Sequence, residues 1–267
     1  MNYSRVRPVR EAAVLAGGLL VIAGVLFVLV ALLVDVIVPM IPTEWEARVF
    51  PGFALLFDQD DTGSDDDSQA KLQALLDRMS AHWSDNPYRI EIRVLEEGMP
   101  NAFAFPGGLV LVTSGMLEQV ESENELAFIL GHELGHFRNR DHLRHLGRGA
   151  SLGLLVAVLR GSGGGESATA FVSLAANLTT RSFSRAQEED ADAFGLELVN
   201  QEYQTVAGAW DFFGKLPQPG STLGRHVTTY LATHPLSDER IETLERLASD
   251  QGWSSEGEPR PWNDTPR

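Results

Sequence analysis

Apolar and polar positions change rhythm several times along this chain, and each rhythm predicts an element. From Ala12 to Val34, 23 consecutive residues carry no charge and are mostly Leu, Val and Ala. About 20 such residues span a bilayer as a helix, so this run reads as a transmembrane anchor. A cleaved signal peptide has an apolar core of roughly 7–15 residues and a small-residue cleavage site. This run is longer and ends in Val34-Asp35-Val36-Ile37. Downstream, Leu72, Leu75, Leu76 and Met79 recur at helical spacing within Ala70–Trp83. Ile90, Ile92 and Val94 alternate within Tyr88–Leu95, the period of a half-buried strand. Asn101 to Val112 continues as extended chain, broken by Pro106-Gly107-Gly108. Ser122 and Glu125 make a capping-box pattern that opens a helix to about Arg138. Further helices are expected over 186–199, 206–216 and 238–248. Leu152–Leu159 is apolar but too short to span a membrane, Gly161–Gly165 reads as a flexible turn, and a helix resumes near Ala168.

These segments divide the chain into a basic N-terminus (1–11), the anchor (12–34), a juxtamembrane segment with an acidic linker (35–69), a compact domain (70–249) and a loose tail (250–267). Charge orients the anchor. Arg5, Arg7 and Arg10 precede it, whereas Asp35, Glu44 and Glu46 follow. The positive-inside rule then keeps the N-terminus in the cytoplasm and sends the domain across. In a Gram-negative cell the domain is expected in the periplasm. In a mitochondrion it would be the intermembrane space, but no Arg- and Ser-rich transit peptide precedes the anchor. Within the linker, Asp58, Asp60 and Gly63 fall at positions 1, 3 and 6 of a calcium-binding loop. Position 12 is Gln69, where a bidentate Glu is required, so the segment reads as solvated. The net charge of -16 argues against nucleic acid as a partner. The absence of cysteine excludes disulfides, thiolate catalysis and cysteine-type zinc sites.

The chemistry-bearing motif is His132-Glu133-Leu134-Gly135-His136. Positions i and i+4 share a helix face, so the two imidazoles converge on one point. Glu133 lies beside them and can act as a general base on a water at the metal. The bland alternative is two histidines on a polar helix face. Yet Leu126, Ala127, Ile129, Leu130 and Leu134 make this an apolar helix, and burying two His and a Glu is costly unless something pairs them. Two candidates compete for a third ligand. His142 nearly completes the metzincin spacing, but that class needs a methionine turn downstream, and the last methionine here is Met116. Glu188 and Asp192 are i and i+4 on a predicted helix. Glu188 could ligate while Asp192 orients a ligand histidine, leaving Glu189 and Asp190 to solvent.

With these residues in place the chain resembles the HtpX-like and CAAX-prenyl-protease-like gluzincins, or minigluzincins. The likeness rests on His132-Glu133-x-x-His136, Ser184-Arg185-x-x-Glu188-x-x-x-Asp192, Asn101-Ala102-Phe103-Ala104 with Pro106-Gly107-Gly108, and Thr233-His234-Pro235 followed by Arg240. It covers about residues 70–249. The resemblance implies an α+β zincin-like fold, mainly helical with a small sheet edging the cleft. It implies one Zn²⁺ per chain, held by His132, His136 and Glu188, with Glu133 as general base. Asn101, Ala102, Phe103 and Ala104 would form an edge strand that takes extended peptide by main-chain hydrogen bonds. His234 and Arg240 would approach the metal and stabilise the transition state, and in some members the histidine caps a resting zinc. Without the resemblance, His234-Pro235 reads as a turn before a helix capped by Ser237. His82, His142, His145 and His226 read as surface or packing histidines.

The expected function is a membrane-anchored zinc metalloendopeptidase acting on protein or peptide substrates, in envelope protein quality control. Two other classes stay open at this point: a chaperone-like binder of unfolded or misassembled proteins with a capped zinc, and a membrane scaffold with a dead site. The intact ligand set and base weigh against the last.

Overall fold

The computed structural model describes residues 8–49, 66–149, 183–215, 234 and 238–262. Most of the acidic linker, the Leu152–Leu159 run, the glycine turn and His226 lie outside these residues, as do Pro235 and Ser237. The chain forms two compact units, one of residues 1–40 with 144–178, the other of residues 41–143 with 179–267.

In the first unit, Pro8–Ile37 is a single helix, α1, followed by a 3-10 turn at Val38–Met40. Leu15, Leu19, Ile22, Leu26, Leu29 and Leu33 are all exposed along it. Water would not tolerate such a surface on a stable helix, whereas lipid matches it. Val9–Met40 is long and apolar enough to cross a membrane. Within the same unit Arg148 Nη2 donates to both oxygens of Asp35, at 2.7 and 2.9 Å.

The second unit opens with a short helix, α2 (Thr43–Val49). After it come α3 (Asp66–Ala81), strands β1 (Glu91–Leu95), β2 (Ala102–Phe105) and β3 (Leu109–Thr113), α4 (Ser114–Gln119) and α5 (Glu123–Arg138). Residues 141–143 begin a further helical stretch that continues to 149 in the first unit, and α6 (Arg185–Tyr203), α7 (Asp211–Lys215) and α8 (Asp238–Gln251) complete the described elements of the second. The sheet order is β1-β3-β2, with β1 parallel and β2 antiparallel to β3. Its two borders differ. Along β1, Gln73 bonds to both Ile90 O (3.0 Å) and Ile92 N (2.9 Å), and Gln69 bonds to Ile92 O and to Val94 N. Side-chain amides from α3 thus close that border, as a further strand would. Along β2 no second strand pairs among the described residues. Leu72, Leu75, Leu76 and Met79 are fully buried, packed into a core with Ile92, Val94, Val110 and the apolar positions of α5 and α6.

Several expectations change. Regular strand begins at Glu91 instead of Tyr88, and β2 begins at Ala102, leaving Asn101 just before it. The helix expected over 206–216 begins only at Asp211, because Gly208 sits at a φ of +76° that interrupts it, and Leu216 lies outside the described residues. At the start of α5, Ser122 does accept from Glu125 N (3.2 Å), but Glu125 Oε2 returns to Glu121 N (3.1 Å) and not to Ser122. A reciprocal capping box stands instead at Ser184 and Gln187, opening α6. The tail expected to be loose is docked as far as Trp262. Val206 N donates to Ser254 O (2.7 Å), Glu123 N to Arg260 O (2.7 Å) and Trp262 N to Glu121 O (3.2 Å). Buried Trp262 supplies the apolar area that holds it, and bonds to the otherwise orphaned N–H groups at the start of α5 add to this.

Candidate metal centre

Two helices make the site, and small residues decide how close they come. A Cβ on Gly135 would stand 2.6 Å from Ala191 Cα, one on Gly131 2.9 Å from Gly195 Cα, and one on Gly195 2.8 Å from His132 N. Backbone therefore meets backbone where α5 crosses α6, and short carboxylate side chains on α6 can reach histidines on α5. Every residue of α5 from Glu123 to Phe137 is buried. On α6, Glu188 and Asp192 are buried while Glu189 and Asp190 face solvent.

His132, His136, Glu188 and His234 bring one ligand atom each within 4.8 Å of the others, all buried. His132 Nε2 lies 3.1 Å from His136 Nε2 and 3.0 Å from His234 Nδ1. Glu188 oxygens lie 3.6 Å from each of the first two and 3.1 Å from His234 Nδ1. Donors about 2 Å from one tetrahedral cation stand about 3.3 Å apart, so the spacing fits zinc. The opposite ring nitrogens are committed: His132 Nδ1 to Asp192 Oδ1 (2.8 Å) and His136 Nδ1 to Asp141 Oδ2 (3.1 Å). With Nδ1–H given to carboxylates, the Nε2 lone pairs point at each other, which is repulsive unless a cation or proton lies between.

Charge leads to the same conclusion. Glu133, Asp141, Glu188 and Asp192 are buried together with the guanidinium of Arg240. Arg240 grips Asp192 through Nε (2.6 Å) and Nη2 (2.7 Å), sets Nη1 2.9 Å from Glu188 Oε2, and lies over the Phe213 ring. Burial pushes the His132 imidazole below its ordinary value despite Glu188 and Asp192 beside it. Burial also opposes a charged His136, but bonds to Asp141 and Glu188 and the nearby Glu133 charge carry it up to about 9. Burial would raise Glu188, yet His234 and His132 hold it well below the usual carboxylate range, and Arg240 with His132 lowers Asp192 likewise. Glu133 Oε1 is buried without a hydrogen-bond partner, with His234 Nε2 3.5 Å away.

Arg240, to which the resemblance gives a role in stabilising the transition state, here holds the carboxylates of Asp192 and Glu188. Of the proposed peptide strand, Asn101 is buried and its backbone turns inward to Thr113, with N to Oγ1 at 2.8 Å and O from N at 3.0 Å. Ala102 is buried, and Phe103 and Ala104 are half-exposed on the open border. His142 is buried against Glu46 and takes no place in the metal cluster. His82 pairs with Glu202, and His145 is buried. Three contributors escaped sequence reading: Asp141, Phe213 and Phe183, whose ring stacks on His136 at 3.8 Å. Asp141 sits five residues past a ligand histidine, beyond the i+4 spacing that flags helix partners, and an aromatic before a helix cap carries no distinguishing signal.

Comparison with known proteins agrees with this geometry. The chain is similar to the mitochondrial metalloendopeptidase OMA1 of Arabidopsis thaliana, 32% identical over 163 residues, which is 58% of this chain and 30% of that protein. It is similar to the metalloprotease LoiP of Escherichia coli, 31% identical over 158 residues, 56% of this chain and 60% of LoiP. It also resembles the beta-barrel assembly-enhancing protease of Yersinia pestis, 26% identical over 162 residues, 56% of this chain and 32% of that protein. The shared region thus spans about a third to three fifths of these relatives. Residues 66–248, which include every residue of the metal cluster, match peptidase family M48, and the chain belongs to that family.

Proposed function

We propose that this chain is a membrane-anchored, zinc-dependent endopeptidase. The observation that carries the proposal is the buried meeting of His132, His136 and Glu188 beside a Glu133 oxygen that has no partner. His132, His136 and Glu188 would hold one zinc ion, which when bound would supply Lewis acidity toward a water and a scissile carbonyl. Asp192 and Asp141 fix the histidine tautomers by accepting their Nδ1 protons. Glu133 takes the proton of the attacking water and returns it to the leaving amine. Arg240 keeps Glu188 and Asp192 in place and shields their mutual repulsion. An extended peptide adds to the open border of β2 along Ala102, Phe103 and Ala104 by main-chain hydrogen bonds, since α3 closes the other border of the sheet. The arginines ahead of the apolar run and the acids beyond it support an N-terminus in the cytoplasm and, in a Gram-negative cell, a domain in the periplasm. Relatives named for β-barrel assembly and mitochondrial proteolysis support a role in envelope protein quality control.

A second reading concerns when the site works. His234 Nδ1 joins the donor set, 3.0 Å from His132 Nε2 and 3.1 Å from Glu188 Oε1, and would compete with a water for the metal. This arrangement is the resting state, with His234 as a removable cap. The test of the main reading is full-length protein in detergent, assayed for zinc content and casein cleavage beside Glu133→Gln. Zinc at one per chain in both proteins, with cleavage only in the wild type, is the expected result. Full activity in the variant would remove Glu133 as base, and a wild type without zinc would end the reading.

A further inference from the structure

A second buried polar cluster centres on Glu46 of α2, a helix that precedes the residues matched to the family. Glu46 is 1% exposed. Its carboxylate accepts from His142 Nε2 (2.6 Å), the Tyr88 hydroxyl (3.1 Å), Arg140 Nη2 (3.2 Å) and the Gly107 N–H (3.2 Å). Arg140 also donates to the Ile41 carbonyl, and its own backbone is left-handed at a φ of 57°. A buried carboxylate is costly unless donors surround it. Here they come from the approach to β1, from the turn joining β2 to β3, and from the turn that ends α5.

The last of these is the informative one. Between Arg140 and His142 stands Asp141, itself 1% exposed. One of its oxygens lies 3.1 Å from His136 Nδ1 and the other accepts from Gln187 Nε2 of α6 at 2.5 Å. Glu46 thus holds the residues on either side of a carboxylate that aims a ligand of the metal centre. A left-handed non-glycine residue, Arg140, costs on the order of 1 kcal/mol and persists only where its surroundings determine it. Two bonds from its side chain to the 41–49 segment do so.

We propose that Glu46 is a positioning residue for the metal centre: it clamps Arg140 and His142, thereby fixing Asp141 and, through it, the orientation of His136. The same carboxylate pins Gly107, so α2 steadies the turn of the open β2–β3 hairpin as well. The juxtamembrane helix is then a working part of the catalytic unit and more than a spacer to the anchor. This rests on the zinc reading above.

The test uses full-length protein in detergent and measures zinc affinity by chelator competition, with Tm recorded alongside. Asp141→Asn should weaken zinc about 10- to 100-fold, the range for partners of ligand histidines. Glu46→Ala should weaken it about tenfold, and in the Asp141→Asn background should add little, because both act on one path. Glu46→Gln keeps the side-chain shape but turns an amide toward donors, so it should resemble Glu46→Ala and serves if the alanine variant fails to fold. The control is Glu123→Gln, at the far end of α5, where Glu123 binds Arg78 (2.7 Å) and Tyr203 (2.7 Å). It should lower Tm and leave zinc affinity within about twofold. If the Glu46 variants lower Tm with zinc affinity unchanged, or if their effect adds fully to Asp141→Asn, the proposal is overturned. A wild type that binds no zinc would instead overturn the metal reading itself.

Discussion

At the residue scale the most consequential side chain is His234. The other three cluster members sit on two packed helices, whereas His234 arrives from the C-terminal part of the chain, 102 positions after His132. It offers Nδ1 to the metal position and sets Nε2 3.5 Å from the Glu133 carboxylate. It therefore links the proposed base to the proposed metal ligands. If this is a cap, removing it uncovers both. His234→Ala should retain zinc at one per chain through His132, His136 and Glu188, with several-fold faster casein cleavage. A variant that kept its zinc but cleaved ten times more slowly would show that His234 assists the reaction. Arg240 gives the complementary lesson. A cation in the first turn of α8 opposes the helix dipole, and the bidentate grip on Asp192 together with the contact to Glu188 accounts for its place there.

At the scale of elements, the crossing of α5 and α6 decides whether a site exists. Gly135 lies between the base and the second histidine, and a methyl there would come within 2.6 Å of Ala191 Cα on the opposing backbone. Backbone cannot yield as a side-chain tip does, so α6 must move outward and take Glu188 and Asp192 with it. Gly135→Ala should cost about 1–3 kcal/mol in stability. It should also weaken zinc binding by more than tenfold, read by chelator competition. Normal zinc affinity in a folded variant would show that the close approach does not set the site. Much of this geometry was legible in the chain. His132 and His136 at i, i+4 on an apolar helix announce a buried pair, and Glu188 with Asp192 at the same spacing announce the carboxylates that face them. What was not legible depended on tertiary contact. Asp141 reaches His136 only because the chain turns at Arg140, and Glu46 looks like one more acid after an anchor until Gly107, Tyr88 and His142 close round it. The loose-looking tail failed for the same reason: its Pro, Gly and Ser composition signals loop, and only the N-terminus of α5 shows that the loop has somewhere to dock.

For the whole molecule, the relevant quantity is charge held inside rather than the formal -16 outside. Four carboxylates, those of Glu133, Asp141, Glu188 and Asp192, are buried near the guanidinium of Arg240. A folded chain without its metal keeps those groups out of water and leaves Glu133 Oε1 without a hydrogen bond, and an unfolded chain hydrates them. Zinc reverses the balance, because it binds the folded form and a preformed site does not survive unfolding. A ligand present at 100 times its Kd stabilises a fold by about 2.7 kcal/mol. For a unit of roughly 200 residues each kcal/mol moves Tm by about 2–4 °C. Stripping zinc with a chelator should therefore lower Tm by about 5–10 °C, and adding it back in slight excess should restore the loss. Glu133→Gln, which removes one buried charge but no ligand, should keep the zinc-dependent shift and raise the Tm of the stripped protein. Calorimetry on stripped and reloaded protein reads both effects. An unchanged Tm on removal of bound zinc would mean that the buried carboxylates are satisfied without it, and the charge argument for the metal centre would fail.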